Sequence, residues 1–137
     1  MRLIKSLLLL LVAAIFLTGM GNLNGAPVGT VPKVSEEIKA KVTDKGGMVT
    51  DLQQFSLDGK VIIEGTRGSA SISIPLREIA TIAFQPGEVK NELAASIKLK
   101  DGQEVQLQLR KRMIFNGSTG YGAFVILAVD VKQIELL

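Results

Sequence analysis

From Met48 onward apolar residues recur at alternate positions, as at Phe55 and Leu57, Ile72 and Ile74, Ile97 and Leu99, Val105 and Leu107, and Phe124 and Ile126. A period of two places one set of side chains on one face of a strand, and β-branched residues favour that state. Asp-Gly pairs and glycine clusters interrupt the runs where hairpins turn. Before Met48 the pattern changes. Val34, Ile38 and Val42 recur every fourth residue behind Ser35, with Glu36 and Glu37 where a helix dipole favours acids. This spacing predicts one short helix over Ser35–Thr43, stopped by Gly46 and Gly47.

Sliding Gly117–Leu136 back by 52 positions lays it on Gly65–Phe84. Gly65 and Gly68 then meet Gly117 and Gly120, while Ile72, Ile74, Glu78, Ile79, Ile82 and Phe84 meet Phe124, Ile126, Asp130, Val131, Ile134 and Leu136. The match predicts an internal repeat, with copies at 48–84 and 94–137. The fold expected is all-β, with about eight strands in two similar four-strand units packed as a small sandwich or partly open barrel.

Side-chain pairing chooses the hairpin registers. A two-residue turn at Asp101-Gly102 sets Leu99 opposite the charge of Glu104. A three-residue loop over Lys100–Gly102 instead sets Ile97 opposite Val105 and Lys98 opposite Glu104, which satisfies both faces. The same loop at Asp58-Gly59 pairs Phe55 with Val61. Equating the two Asp-Gly turns gives the second copy an extension, Gln103–Tyr121, read as a projecting hairpin or a bulge at Arg110–Arg112. The glycines of Gly117–Gly122 match those of the first copy, which favours a turn with positive φ over a phosphate loop, and no helix follows to receive an anion. Ile74–Phe84, a strand, a corner and a strand after a glycine turn, has a loose resemblance to the end of small barrel modules of the Sm-like or PRC-barrel kind, and it carries no residue roles.

The first 26 residues follow another logic. Arg2 and Lys5 precede an apolar run, Leu7–Leu17, and a small, polar stretch ending at Ala26. That is the order of a secretory signal peptide, cleaved after Gly21 or Ala26. The run falls short of the roughly 20 residues that cross a bilayer as a helix, so no transmembrane segment is expected after cleavage. The organisation predicted is a signal peptide at 1–26, a linker with the short helix at 27–47 and a β domain at 48–137, in a protein exported to the periplasm or secreted. Export removes two of the 16 basic residues and none of the 13 acidic ones, leaving a net charge of about +1. So small a charge is no nucleic-acid footprint.

Histidine and cysteine are both absent. Ser-His-Asp and Cys-His nucleophile systems, the usual zinc sites and ordinary haem ligation are thereby excluded, and no disulfide staples the fold. Asp58, Glu64, Asp101, Glu104 and Asp130 fit turns and solvated strand faces, and nothing in their spacing brings two carboxylates together. The expectation is no enzyme, no cofactor and no metal. Arg110-Lys111-Arg112 is the densest charge outside the leader, suited to an acidic protein surface, an anionic lipid headgroup or a polyanionic glycan. Tyr121 is the free aromatic of the second loop, since Phe115 and Phe124 fit core positions. These residues predict an exported, non-catalytic binding or assembly module that meets an envelope or extracellular protein through strand edges and a basic hairpin, at Arg110, Lys111, Arg112 and Tyr121. The alternative is a carrier of a small apolar ligand inside a β-barrel.

Overall fold

The computed structural model describes residues 30–87 and 89–137. The leader expected at 1–26 and the first residues of the 27–47 stretch lie outside them, as does Glu88. Among the described residues the protein is all-β, with strands β1 (Ala40–Asp44), β2 (Val49–Leu57), β3 (Ile62–Arg67), β4 (Ala70–Pro75), β5 (Ile79–Pro86), β6 (Glu92–Leu99), β7 (Glu104–Arg110), β8 (Ile114–Ser118), β9 (Ala123–Leu127) and β10 (Val131–Leu136). One-turn 3-10 helices at Leu76–Glu78 and Ala128–Asp130 make two corners. The strands form a single antiparallel sheet in the order β4-β3-β7-β6-β5-β10-β1-β2-β8-β9, where about eight strands in two packed units were expected.

Replacing each strand by the one five places on in sequence makes that order read backwards. Backbone bonds obey the same exchange. Leu76 N donates to Val61 O at 2.9 Å, and Ala128 N to Met113 O at 2.8 Å. Lys100 N donates to Glu78 O at 2.9 Å, and Lys45 N to Asp130 O at 3.0 Å. The chain does not keep each half to itself, however. The β3–β4 hairpin lies against β7, and the β8–β9 hairpin lies against β2. One limb of the sheet is therefore the unbroken stretch 62–110, and the other joins β1 and β2 to β8, β9 and β10.

The sheet curls until its apolar face meets itself. Phe84 of β5 and Phe115 of β8 have three strands between them in the sheet, yet their rings meet edge to face at 5.8 Å. Phe115 also stacks on Phe55 of β2 at 5.5 Å. Ile63, Leu76, Ile79, Ile82, Leu107 and Ile134 are fully buried around them, so the interior is occupied by side chains. Burying an Ile or Leu contributes about 1.5–3 kcal/mol each, which lets the fold stand without disulfides.

Three expectations are corrected. No helix covers Ser35–Thr43, because Ala40–Asp44 is strand β1, inside the stretch read as a linker. A four-residue spacing is also twice two, and the row Ile38, Ala40, Val42 is buried throughout, with Ala40 between Leu52 and Leu136. Asp58-Gly59 forms a two-residue turn. Leu57 and Lys60 exchange bonds of 2.8 and 2.9 Å, so Phe55 is not paired with Val61. Asp58 and Gly59 both take positive φ, 52° and 82°, as a type I′ turn requires, and Ser56 Oγ accepts from Gly59 N at 3.2 Å. The loop at Lys100–Gly102 does have the expected register, with Ile97 opposite Val105, Lys98 opposite Glu104 and Gly102 at φ 96°.

The third correction follows from the second. Asp58-Gly59 belongs to the β2–β3 connection and Asp101-Gly102 to the β6–β7 connection, so the two turns are not equivalent. The extension over Gln103–Tyr121 disappears. Its residues are β7, a tight turn and β8, matching β2, a turn and β3 in the first half. The first half is the longer one between these strands, through an irregularity at Gln54, which takes φ 50°.

Candidate binding surface

Arg110 ends β7 and is exposed, opposite Glu92 of β6. Lys111 is half-buried and Arg112 exposed in the turn that carries the chain from β7 to β8. Lys111 N donates to Asn91 O at 3.2 Å, and Met113 N to Arg110 O at 3.2 Å, so the backbone of this turn is anchored on both sides. The turn is no hairpin tip, because β7 and β8 lie in different limbs of the sheet. Beside it is an open cleft of about 750 Å³, lined among others by Asp58, Arg110, Lys111, Arg112, Met113 and Leu127. The cleft is cationic, three positive side chains against the one carboxylate of Asp58. The ion pair found among the described residues, Arg77 with Glu36 at 3.5 Å, lies elsewhere.

Tyr121 is 91% exposed at the tip of the β8–β9 turn. The structure does not bring it to the basic residues. They lie before β8 and it lies after, and the five residues of that strand span about 17 Å. The glycine-rich loop satisfies itself. Thr119 N and Oγ1 both donate to Gly122 O at 3.0 Å, Gly120 N donates to Ser118 Oγ at 3.2 Å, and Tyr121 N donates to Thr119 Oγ1 at 3.4 Å. Its N–H groups are thus turned to its own oxygens. Gly120 takes the positive φ expected, 92°, whereas Gly117 lies within β8 and serves close packing instead.

The feature that the sequence reading missed is the outermost strand β9. Among the described residues, β4 and β9 are the two edges of the sheet. On β4, Ser71 and Ser73 give the outer face a polar row, and Pro75, which has no N–H to offer a neighbouring chain, closes the strand. The positions 52 further on are Ala123, Val125 and Leu127. Val125 is 62% exposed and Leu127 40%. Phe124 and Ile126 between them are only half-buried, so β9 is an edge of five apolar residues without a charge, proline or bulge. The signal lay in the aligned copies, where Ser-Ile-Ser-Ile-Pro stands against Ala-Phe-Val-Ile-Leu. At its Leu127 end this edge runs into the basic cleft.

Residues 34–137 match the model of a family described as "Uncharacterised protein", and the chain belongs to that family. No curated protein and no solved structure matches it.

Proposed function

We propose that the protein is an exported, non-catalytic binding or assembly module that holds a protein partner along the edge of β9 and at the basic turn Arg110–Arg112. We read Met1–Ala26 as the leader that directs its export, and the two halves of the sheet as copies of one unit. A doubled unit has two equivalent edges, and a soluble protein has reason to guard both. The observation that carries the proposal is that one edge has the polar outer row Ser71 and Ser73 closed by Pro75, while the other has Ala123, Val125 and Leu127 in their place. The carrier reading is weaker, since Phe55, Phe84 and Phe115 meet in the interior that a ligand would need.

Capture of partners from an envelope extract tests this. Val125→Lys places a charge on the open edge, and Ser replacements of Arg110, Lys111 and Arg112 neutralise the turn. Each is expected to lower capture about tenfold, the loss of some 1.4 kcal/mol of binding. Ser73→Lys on the guarded edge is expected to leave capture unchanged. Undiminished capture by both of the first two variants would overturn the proposal.

A further inference from the structure

We infer that the partner presents an extended segment in which acidic residues come first and an alternating apolar run follows, and that this segment adds to β9 as an antiparallel eleventh strand. The inference rests on the binding-module reading and gives it a ligand chemistry and a direction. An edge strand has backbone N–H and C=O groups unpaired on one side, and an extended peptide satisfies them while its alternate side chains choose the partner. Here the outward row is Ala123, Val125 and Leu127, with Ile114 paired to Leu127 on the neighbouring strand. An added strand facing that row carries apolar residues at every second position.

Direction follows from topology and charge together. Every strand pair in this sheet is antiparallel. β9 runs from Ala123 toward Leu127, so an antiparallel addition has its N-terminal end at Leu127. That is the end where the edge opens into the cleft with Arg110, Lys111 and Arg112. The residues preceding the apolar run therefore reach three cations, with Asp58 as the one opposing carboxylate of the cleft. Acids at that end are attracted, whereas at the other end lies the turn Ser118–Gly122, which carries no cation to receive them.

The other occupants of such an edge fit less well. A second copy of this chain, paired β9 to β9, sets its own Ser118–Gly122 turn beside the basic cleft and brings no acid to it. A bilayer takes the apolar row and the cations but leaves the backbone groups of the edge unsatisfied, at a cost of several kcal/mol per group.

Fluorescence anisotropy with three synthetic peptides decides the matter. The first has Asp-Glu-Asp ahead of Thr-Val-Thr-Ile-Thr-Val, the second has the same acids after the run, and the third has Asn-Gln-Asn in their place. The acid-first peptide is expected to bind at least about tenfold more tightly than either of the others. Its affinity should fall about tenfold with Val125→Lys and with the Ser replacements of the basic turn, and it should weaken as salt rises from about 50 to about 500 mM. Val125 is exposed, and circular dichroism of V125K checks that the sheet persists. Equal affinity for both orders, or binding indifferent to V125K, overturns the inference. So do binding of anionic phosphatidylglycerol vesicles with no peptide binding, and a dimer in sedimentation that V125K dissolves. If extract capture depends on both surfaces while no peptide binds, the module reading survives and this assignment of its ligand falls.

Discussion

Four glycines occupy two pairs of matching places, for opposite physical reasons. At Gly65 an added Cβ would lie 2.8 Å from Leu109 Cδ2, 2.9 Å from Leu107 Cβ and 3.0 Å from the backbone oxygen of Gln108. At Gly117 it would lie 3.0 Å from Leu52 Cβ and Cδ1 and 3.3 Å from the backbone oxygen of Gln53. Both glycines sit where a hairpin from one half presses on a strand of the other, β3 on β7 and β8 on β2. Gly68 and Gly120 have open space around them and need their positive φ, 61° and 92°. Gly65→Ala is therefore expected to destabilise by about 1–3 kcal/mol through overpacking, and Gly117→Ala by less, since its neighbours stand further off. Gly68→Ala is expected to cost roughly 1–2 kcal/mol through backbone strain alone. Urea midpoints of the three variants give the order. A Gly65→Ala midpoint equal to that of the parent would show that β3 is not held so close to β7.

At the scale of the strand, alternation carries the face a residue takes but not its neighbour. Ile72, Ile74, Phe124 and Ile126 do face the core as their spacing implies, and the offset of 52 relates β3, β5 and the corner Leu76–Glu78 to β8, β10 and Ala128–Asp130, whereas β1 and β2 stand 55 positions from the residues of β6 and β7 that pair as they do. The partner of a strand lies elsewhere in the chain, and nothing local records that β3 sits on β7 or that β9 sits outermost. β1 was illegible for a different reason: Val34, Ile38 and Val42 satisfy a helix and a strand equally until Leu52 and Leu136 close over Ala40. The basic turn was legible as a cluster but not as a place, because Asp58-Gly59 and Asp101-Gly102 are alike in sequence while their turns differ in type and in the strands they join. Matched residues on the two edge strands are not equally covered. Ile74 is 8% exposed, whereas Ile126 on the open edge is half-buried. Ile74→Ala is expected to cost about 2–5 kcal/mol, and Ile126→Ala no more than about 2 kcal/mol, with less of its surface to lose. Equal urea midpoints for the two variants would mean that β9 is covered as deeply as β4.

For the whole molecule, exchange of hairpins makes the fold cyclic in its logic. Ala40 is paired with Leu136, and Leu137 N donates to Lys39 O at 2.9 Å, so β10 and β1 adjoin as β5 and β6 do. β5 and β6 are joined by a short loop between Pro86 and Glu92. A connector of similar length, about five residues as in hairpin loops generally, can thus close Leu137 onto Ile38 while the loop after Pro86 is opened. The limb 62–110 is then cut in two, and the limb that was assembled from distant segments becomes continuous. If the native contacts and not the chain order hold the sheet together, this circular permutant of the β domain folds, since chain ends placed in exposed loops are tolerated. Its urea midpoint is expected to lie close to that of the unpermuted domain, because the one new connection is similar in length to the one opened and closure entropy changes only slowly with loop length. Failure to fold, with the unpermuted domain stable under the same conditions, would show that the Pro86–Glu92 connection does more than join β5 to β6, and that the two joints of the sheet are not interchangeable. A permutant that folds and still loses binding on Val125→Lys would place recognition in the edge of β9 itself, independent of where the chain begins.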